Sequence, residues 1–173
     1  MIEHLSLPAP LEVPDRATVL RRATSDDLGA IVRLLADDPV SAGRGDTAAT
    51  DDVGAYASAL DEVIRDPGND LLVAVDADGS VVATLQLTRI PGMARRGSTR
   101  LLVEAVRVAS SRRSLGIGGA LMRWVVDRAA PELGASLVQL TSDAARVDAH
   151  RFYRRLGFVD SHVGFKYRLP TAD

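Results

Sequence analysis

The feature that most constrains the fold is a strand-like run, Arg100 to Ala109, that empties directly into Ser110-Ser111-Arg112-Arg113-Ser114-Leu115-Gly116-Ile117-Gly118-Gly119. The segment that follows carries an apolar stripe at helical spacing, Ile117, Leu121, Trp124 and Val125. A strand that turns through glycines into a helix start exposes backbone N–H groups at the positive end of the helix dipole. Such a loop is built to receive an anion. It also commits the chain to a sheet with helices laid on its faces, because the strand and the helix must each bury an apolar side against the other.

The rest of the chain supplies the other layers. Thr18 to Arg22 reads as a short strand, and Ser25 as the N-cap of a helix with Leu28, Ile31, Val32 and Leu35 inward and Pro39 as its end. After a polar stretch from Ser41 to Thr50, a second helix is expected on Val53, Tyr56, Ala57, Leu60 and Ile64, up to the turn Asp66-Pro67-Gly68-Asn69. Leu71 to Val75 and Ser80 to Thr88 form a hairpin about Asp76-Ala77-Asp78-Gly79, followed by a basic loop, Pro91 to Thr99. Beyond the glycine-rich helix, which Pro131 should close, come a buried strand (Leu137 to Thr141) and a helix from about Asp143 to Leu156, with Ala145, Ala149, Phe152 and Leu156 inward and Gly157 at its C′ position. The alternation of Val163, Phe165, Tyr167 and Leu169 predicts a final strand. The fold class is therefore α/β, a mixed sheet in one domain spanning residues 17–173, with residues 1–16 as a flexible arm.

Composition removes several function classes. Twenty-one basic and 23 acidic side chains leave a net charge of -2, and aromatic residues are 4%, so no nucleic-acid partner is expected. No apolar run is long enough to span a bilayer and the N-terminus lacks the architecture of a secretory leader, so neither a membrane partner nor export is expected and the cytoplasm is the expected compartment. The chain has no cysteine, which excludes disulfides, thiolate metal sites and a cysteine nucleophile; no metal site is expected. Should the chain self-associate, a homodimer is the commonest outcome.

The glycine loop discriminates among phosphate ligands. A Walker A loop requires a lysine after its last glycine, and the one lysine here is Lys166. A dinucleotide fingerprint requires a small residue where Leu121 stands. What remains is the pyrophosphate of coenzyme A: Arg113-Ser114-Leu115-Gly116-Ile117-Gly118 resembles the Arg/Gln-x-x-Gly-x-Gly/Ala motif of the GNAT N-acetyltransferases. The preceding Val103-Glu104-Ala105-Val106-Arg107-Val108 is similar to that family's central strand, and Ala149-His150-Arg151-Phe152-Tyr153-Arg154-Arg155-Leu156-Gly157-Phe158 to its closing segment.

The resemblance implies the acyl-CoA N-acyltransferase fold, with the cofactor between two strands that splay apart, Leu101 to Ala109 and Leu137 to Thr141. It implies acetyl-CoA as donor, CoA as product, and a small-molecule or peptide amine as acceptor, attacked directly in a ternary complex. Backbone N–H groups near Val106 and Val108 would hold the pantetheine and acetyl carbonyl, and those of Arg113, Ser114, Leu115, Gly116, Ile117, Gly118 and Gly119 the pyrophosphate. Tyr153 matches the family's general acid. Glu104, on a strand face read as shared with Leu102, Val106 and Val108, is the candidate base through a water, since desolvation would raise its proton affinity. His150 is the alternative base. The family's usual Asn, seven residues before the tyrosine, is replaced by Arg146. A non-catalytic acyl-CoA-binding or regulatory module of the same fold is the competing reading.

Overall fold

The computed structural model describes residues 2–38, 43, 49 and 52–169. It divides into two compact units, residues 1–140 and 141–173.

The first unit is a six-stranded mixed sheet in sequential order. Strands β1 (Ala9–Val13), β2 (Arg16–Arg22), β3 (Asn69–Asp76), β4 (Val81–Ile90) and β5 (Thr99–Val108) pair antiparallel; β6 (Ala135–Leu140) joins β5 in parallel. Sequential antiparallel neighbours need only tight connections, whereas the one parallel pair requires the crossover helix between β5 and β6. The β3–β4 hairpin turns where Asp76 to Gly79 predicts: Gly79 sits at φ 84° and its N–H donates to Asp76 O at 3.0 Å.

Helices α1 (Leu28–Ala36) and α2 (Val53–Arg65) cover one sheet face, where Ala23, Ile31, Leu60 and Val73 form a buried cluster flanked by Leu28, Leu35 and Leu71. Helix α3 (Ile117–Trp124) packs on β1 and β5, burying Ile117, Leu121 and Met122 together with Val125. Alternation puts Leu72, Leu85, Leu87, Leu101 and Val103, all at most 2% exposed, on the second face.

Several expectations are corrected. The arm expected over residues 1–16 is docked from Ile2 onward: β1 pairs with β2 along its length, and Ile2, Leu5, Leu11 and Val13 are buried. At the sheet edge the missing N–H of Pro10 costs no ladder bond. The turn into α1 is capped by Thr24 and Asp27 rather than by Ser25, Thr24 N–H donating to Asp27 Oδ2 at 2.8 Å. Pro39 and most of Ser41 to Thr50 lie outside the described residues. In α2 the inward residues are Tyr56, Leu60 and Val63, while Val53 and Ile64 are exposed. Pro131 does not end the crossover helix, which widens to a π turn over Val125–Ala129 and continues through Ala130–Glu132. There Ala130 N–H reaches back to Val125 O, which makes room for the proline ring. Strand β6 is half-exposed rather than buried.

The second unit holds α4 (Val147–Arg155), which begins later than the predicted Asp143. Asp143 to Ala145 instead forms a turn in which Asp143 Oδ1 accepts from Ala145 N–H at 2.9 Å. Gly157, at φ 89°, ends the helix as predicted, with Phe158 N–H donating to Tyr153 O and Gly157 N–H to Arg154 O. Residues 159–169 contain no strand; Val163, Phe165, Tyr167 and Leu169 are each at least 80% exposed. Alternation creates the potential for a strand, and a strand forms only where a neighbour accepts its hydrogen bonds.

Candidate functional site

The candidate site of the first unit grows from an irregularity in β5. In the ladder with β4, Gln86 faces Glu104 and Thr84 faces Arg107, so Leu85 alone opposes the two residues Ala105 and Val106. This is a β-bulge, and Ala105 occupies φ 50°, a conformation open without strain only to glycine. Holding an alanine there costs about 1 kcal/mol or more, a strain that packing on both sides must sustain.

The bulge changes which side chains share a face. Cross-strand partners point the same way, so Glu104 and Arg107 lie on the face of Gln86 and Thr84, and Val106 and Val108 lie on the other. The expectation that Glu104 shares a face with Val106 and Val108 assumed unbroken alternation and is corrected here. Glu104 is exposed, so the apolar enclosure argued for it is absent. Arg107 lies with its Nη2 4.0 Å from Asp38 Oδ2, and its Nη1 donates to Val106 O at 2.9 Å.

The backbone of the same segment has donors to spare. Pairing of β5 with β6 runs only from Thr99 to Val103, while β5 continues to Val108. Ala109 N–H donates to Val82 O at 2.9 Å, toward β4; alternation therefore turns the N–H groups of Val108 and Val106 toward the edge that β6 covers only as far as Val103.

The loop that follows is short and pinned. Ser110–Arg112 makes one 3₁₀ turn, Ser114 lies at φ 63°, and Gly116 at φ 87° starts α3. The positive φ of Gly116 favours glycine, and a Cβ there would stand 3.2 Å from Pro14 Cδ and crowd that ring. The Arg113 side chain braces this loop: Nε donates to Val108 O at 3.2 Å, Nη2 to Asp37 O at 3.0 Å, and Asp37 Oδ2 lies 3.5 Å from Nη2. Asp37 Oδ2 also accepts from Ser110 N–H at 2.6 Å, which ties the end of α1 to the loop. Ala120 N–H closes the first turn of α3 on Gly116 O, so Ile117, Gly118 and Gly119 carry the amide groups that a helix start leaves without an intrahelical acceptor. Arg112 is directed elsewhere, its Nη2 lying 3.4 Å from Asp76 Oδ2. The first unit thus gathers Glu104, Val106, Val108 and Arg113 to Gly119 on one strand and one loop.

Tyr153 belongs to the second unit, half-buried on α4 and edge-on to Phe152 and Phe158, with ring centroids 5.1 and 5.8 Å away. His150 lies one turn earlier, and its Nε2 is 2.8 Å from Asp143 O, a contact in which the ring N–H donates and holds the turn before the helix. Sequence reasoning missed the bulge, for which a glycine would have been the signal and alanine is not. It also missed Gln86 and Asn69, whose polar heads on the α1–α2 side are linked at 3.1 Å. Among the described residues no group of three or more His, Asp or Glu is arranged to hold a metal ion.

Comparison with known proteins agrees with this architecture. A curated relative, the aminoalkylphosphonate N-acetyltransferase of Salmonella typhimurium, is 36% identical over 67 residues, which is 39% of this chain and 43% of that protein, so the match spans less than half of the relative. The crystal structure of a transcriptional regulator from Bacillus halodurans C-125 superposes with a TM-score of 0.82 at 38% identity, covering 88% of this chain and 99% of the other. A Trypanosoma brucei acetyltransferase shares the fold, with a TM-score of 0.69 at 24% identity over 88% of this chain and 99% of that one. Residues 30–158 match the acetyltransferase (GNAT) family, and with the splayed β5 edge and the glycine-bearing loop on the same segment, the chain belongs to that family.

Proposed function

We propose that the chain transfers the acetyl group of acetyl-CoA to a primary amine by direct attack in a ternary complex. The observation that carries this reading is the bulge at Ala105, next to which the N–H groups of Val106 and Val108 turn toward the partly uncovered edge of β5. Immediately downstream, the positive-φ Ser114 and Gly116 and the first turn of α3 offer a row of amide donors suited to a pyrophosphate. Both features fit an acyl-CoA, and Arg113, already braced against Val108 and Asp37, serves first to hold the loop in shape.

When bound, the thioester supplies an acyl carbon open to attack. Val106 and Val108 hold the acyl oxygen and pantetheine through backbone N–H groups, where the oxygen gains negative charge as the C–N bond forms. Glu104 takes, through a water, the proton that the ammonium must lose before its nitrogen can attack. Being exposed, Glu104 acts by position and access rather than through an apolar enclosure. Tyr153 gives a proton to the departing sulfur as the C–S bond breaks. The relative's aminoalkylphosphonates provide the first acceptor class to assay. The action is assigned to the cytoplasm, and a homodimer is the proposed assembly.

The test is calorimetric titration with acetyl-CoA, then thiol release with 2-aminoethylphosphonate and other primary amines. Wild type should bind acetyl-CoA and release thiol with an amine; Tyr153→Phe and Glu104→Gln should each lower kcat by about 10²-fold or more with acetyl-CoA affinity kept. No acetyl-CoA binding by the folded wild type sinks the reading. The resemblance to a transcriptional regulator favours one alternative, a module that binds acyl-CoA and does not turn it over. Tight binding without thiol release across the amine panel would select it.

A further inference from the structure

Between α1, α2 and the sheet lies a cleft of about 130 Å³, walled by Leu28, Ile31, Tyr56, Leu60 and Val63 and floored by Gln86 and the bulged Ala105. Its walls are apolar and its floor carries an amide whose orientation the surrounding bonds dictate. The Asp66 carboxylate can only accept, so Asn69 must turn its Nδ2 toward Asp66 Oδ2, at 2.9 Å. Asn69 Oδ1 is then left to accept, and it does so twice, from Thr88 Oγ1 at 2.6 Å and from Gln86 Nε2 at 3.1 Å. Asp66 is fixed in turn, its Oδ1 accepting from Gly68 N–H at 2.7 Å. The relay Asp66, Asn69, Gln86 admits one amide orientation, in which Gln86 presents Oε1 away from Asn69. Among the described residues that oxygen accepts no hydrogen bond from the protein, and Gln86 is partly accessible. Directly across the ladder on the same face stands Glu104.

A bare carbonyl oxygen beside a carboxylate, at the base of an apolar cleft, matches a ligand that donates hydrogen bonds, carries positive charge and trails an apolar group. The volume is near that of the apolar cavities of about 150 Å³ that accept a benzene ring, so the group has the size of one ring or a short branched chain. We propose that this cleft binds the acceptor as an arylalkyl or alkyl primary ammonium, with Gln86 Oε1 holding the N–H donors and Asn69 and Asp66 acting as positioning residues for Gln86. This rests on the acetyltransferase reading for its purpose, since it supplies the nucleophile beside Ala105, but the binding itself can be measured without turnover.

The experiment titrates the full chain by calorimetry with 2-phenylethylamine, its neutral isostere 2-phenylethanol, and 2-aminoethylphosphonate, in wild type, Gln86→Leu and Asp66→Ala. Wild type should bind 2-phenylethylamine saturably and at least tenfold more tightly than 2-phenylethanol. Gln86→Leu should weaken the amine by about tenfold or more. Asp66→Ala, which touches no ligand, should weaken the amine several-fold and leave the alcohol unchanged, an effect that general loosening of the cleft would not produce. Equal binding of amine and alcohol by wild type, no saturable amine binding, or a Gln86→Leu variant with undiminished amine affinity overturns the proposal; the first two need no variant to fold. Thiol release from acetyl-CoA in the same preparations separates the two readings. Amine binding without thiol release supports the cleft and removes acetyl transfer, whereas turnover of 2-aminoethylphosphonate without 2-phenylethylamine binding removes the cleft and keeps the transfer.

Discussion

Asp27 is the residue whose loss should be most informative about how α1 is held. Its carboxylate receives Arg21 Nη1 at 2.7 Å and Nη2 at 2.8 Å, a two-pronged contact from β2, and Thr24 N–H at 2.8 Å, the cap of its own turn. Asp27 is 6% exposed, whereas the Arg21 side chain is 36% exposed and can recover water. Hydrogen bonds to a charged group contribute about 1.5 to 3 kcal/mol and a helix cap about 1 kcal/mol, but these contacts share one carboxylate and do not add. With rehydration of Arg21 discounted, Asp27→Ala should cost about 2 to 3 kcal/mol. At this length that corresponds to a melting temperature lower by roughly 4 to 12 °C. The pH dependence gives an independent check. The Arg21 hydrogen bonds hold the Asp27 carboxyl below its usual range, against the opposing effect of burial and with help from Thr24. A depressed folded pKa means that the stabilisation is complete above the unfolded value of about 3.9 and is lost as pH falls from there through the folded value. Differential scanning calorimetry of wild type and Asp27→Asn between pH 7 and pH 2 should therefore find that wild type loses its advantage in this acid window. Melting temperatures of Asp27→Ala and wild type within about 1 °C at pH 7 would refute the reasoning.

Asp70 should behave oppositely. Burial pushes its carboxyl up despite Arg22, so its ionised form is a cost above the folded pKa that disappears as pH falls through that value toward the unfolded one. Asp70→Asn retains an acceptor for Arg22 Nε, and Arg22 Nη2 keeps its contacts to Ile2, Glu3 and Leu5 carbonyls, so urea unfolding at pH 7 should find a change within about 1 kcal/mol. Leu121→Ala, on a fully buried side chain of α3, should cost about 2 to 5 kcal/mol with the urea m-value unchanged. Arg113→Ala should weaken acetyl-CoA binding by about tenfold in calorimetry while shifting the melting temperature little, because the 47% exposed side chain braces a surface loop; unaltered affinity would remove that role.

Where the sequence could be read, it was because periodicity and turn chemistry answer to local forces. The α3 stripe of Ile117, Leu121, Trp124 and Val125, the Asp76–Gly79 turn and the Gly157 helix end all occur as their residues predict. The failures are tertiary. Whether Val163 to Leu169 forms a strand depends on a neighbour that alternation cannot specify, and whether Ala9 to Val13 docks depends on an available sheet edge. For the site, the glycine at the start of α3 was legible because Gly116 sits at a positive φ that favours glycine, where a Cβ would also crowd Pro14. The environment of Glu104 was not, since one alanine at positive φ separates it from the valines it would otherwise accompany. The Asp66, Asn69, Gln86 relay joins side chains across two strands and a turn, a relation without any spacing in the sequence.

The bulge has a consequence for how information is stored in this strand. Removing Ala105 on paper leaves Glu104 opposite Gln86, Val106 opposite Leu85 and Arg107 opposite Thr84, with every side chain on the face it already occupies. The ladder would be regular and one strained alanine would be gone. β5 thus carries one letter more than its pairing requires, and the surplus is a length rather than a residue type. An inventory of side chains would pass over it, and a substitution scan would sample it only indirectly. Shortening the strand by a single position alters the shape of the edge while leaving its neighbours' identities intact.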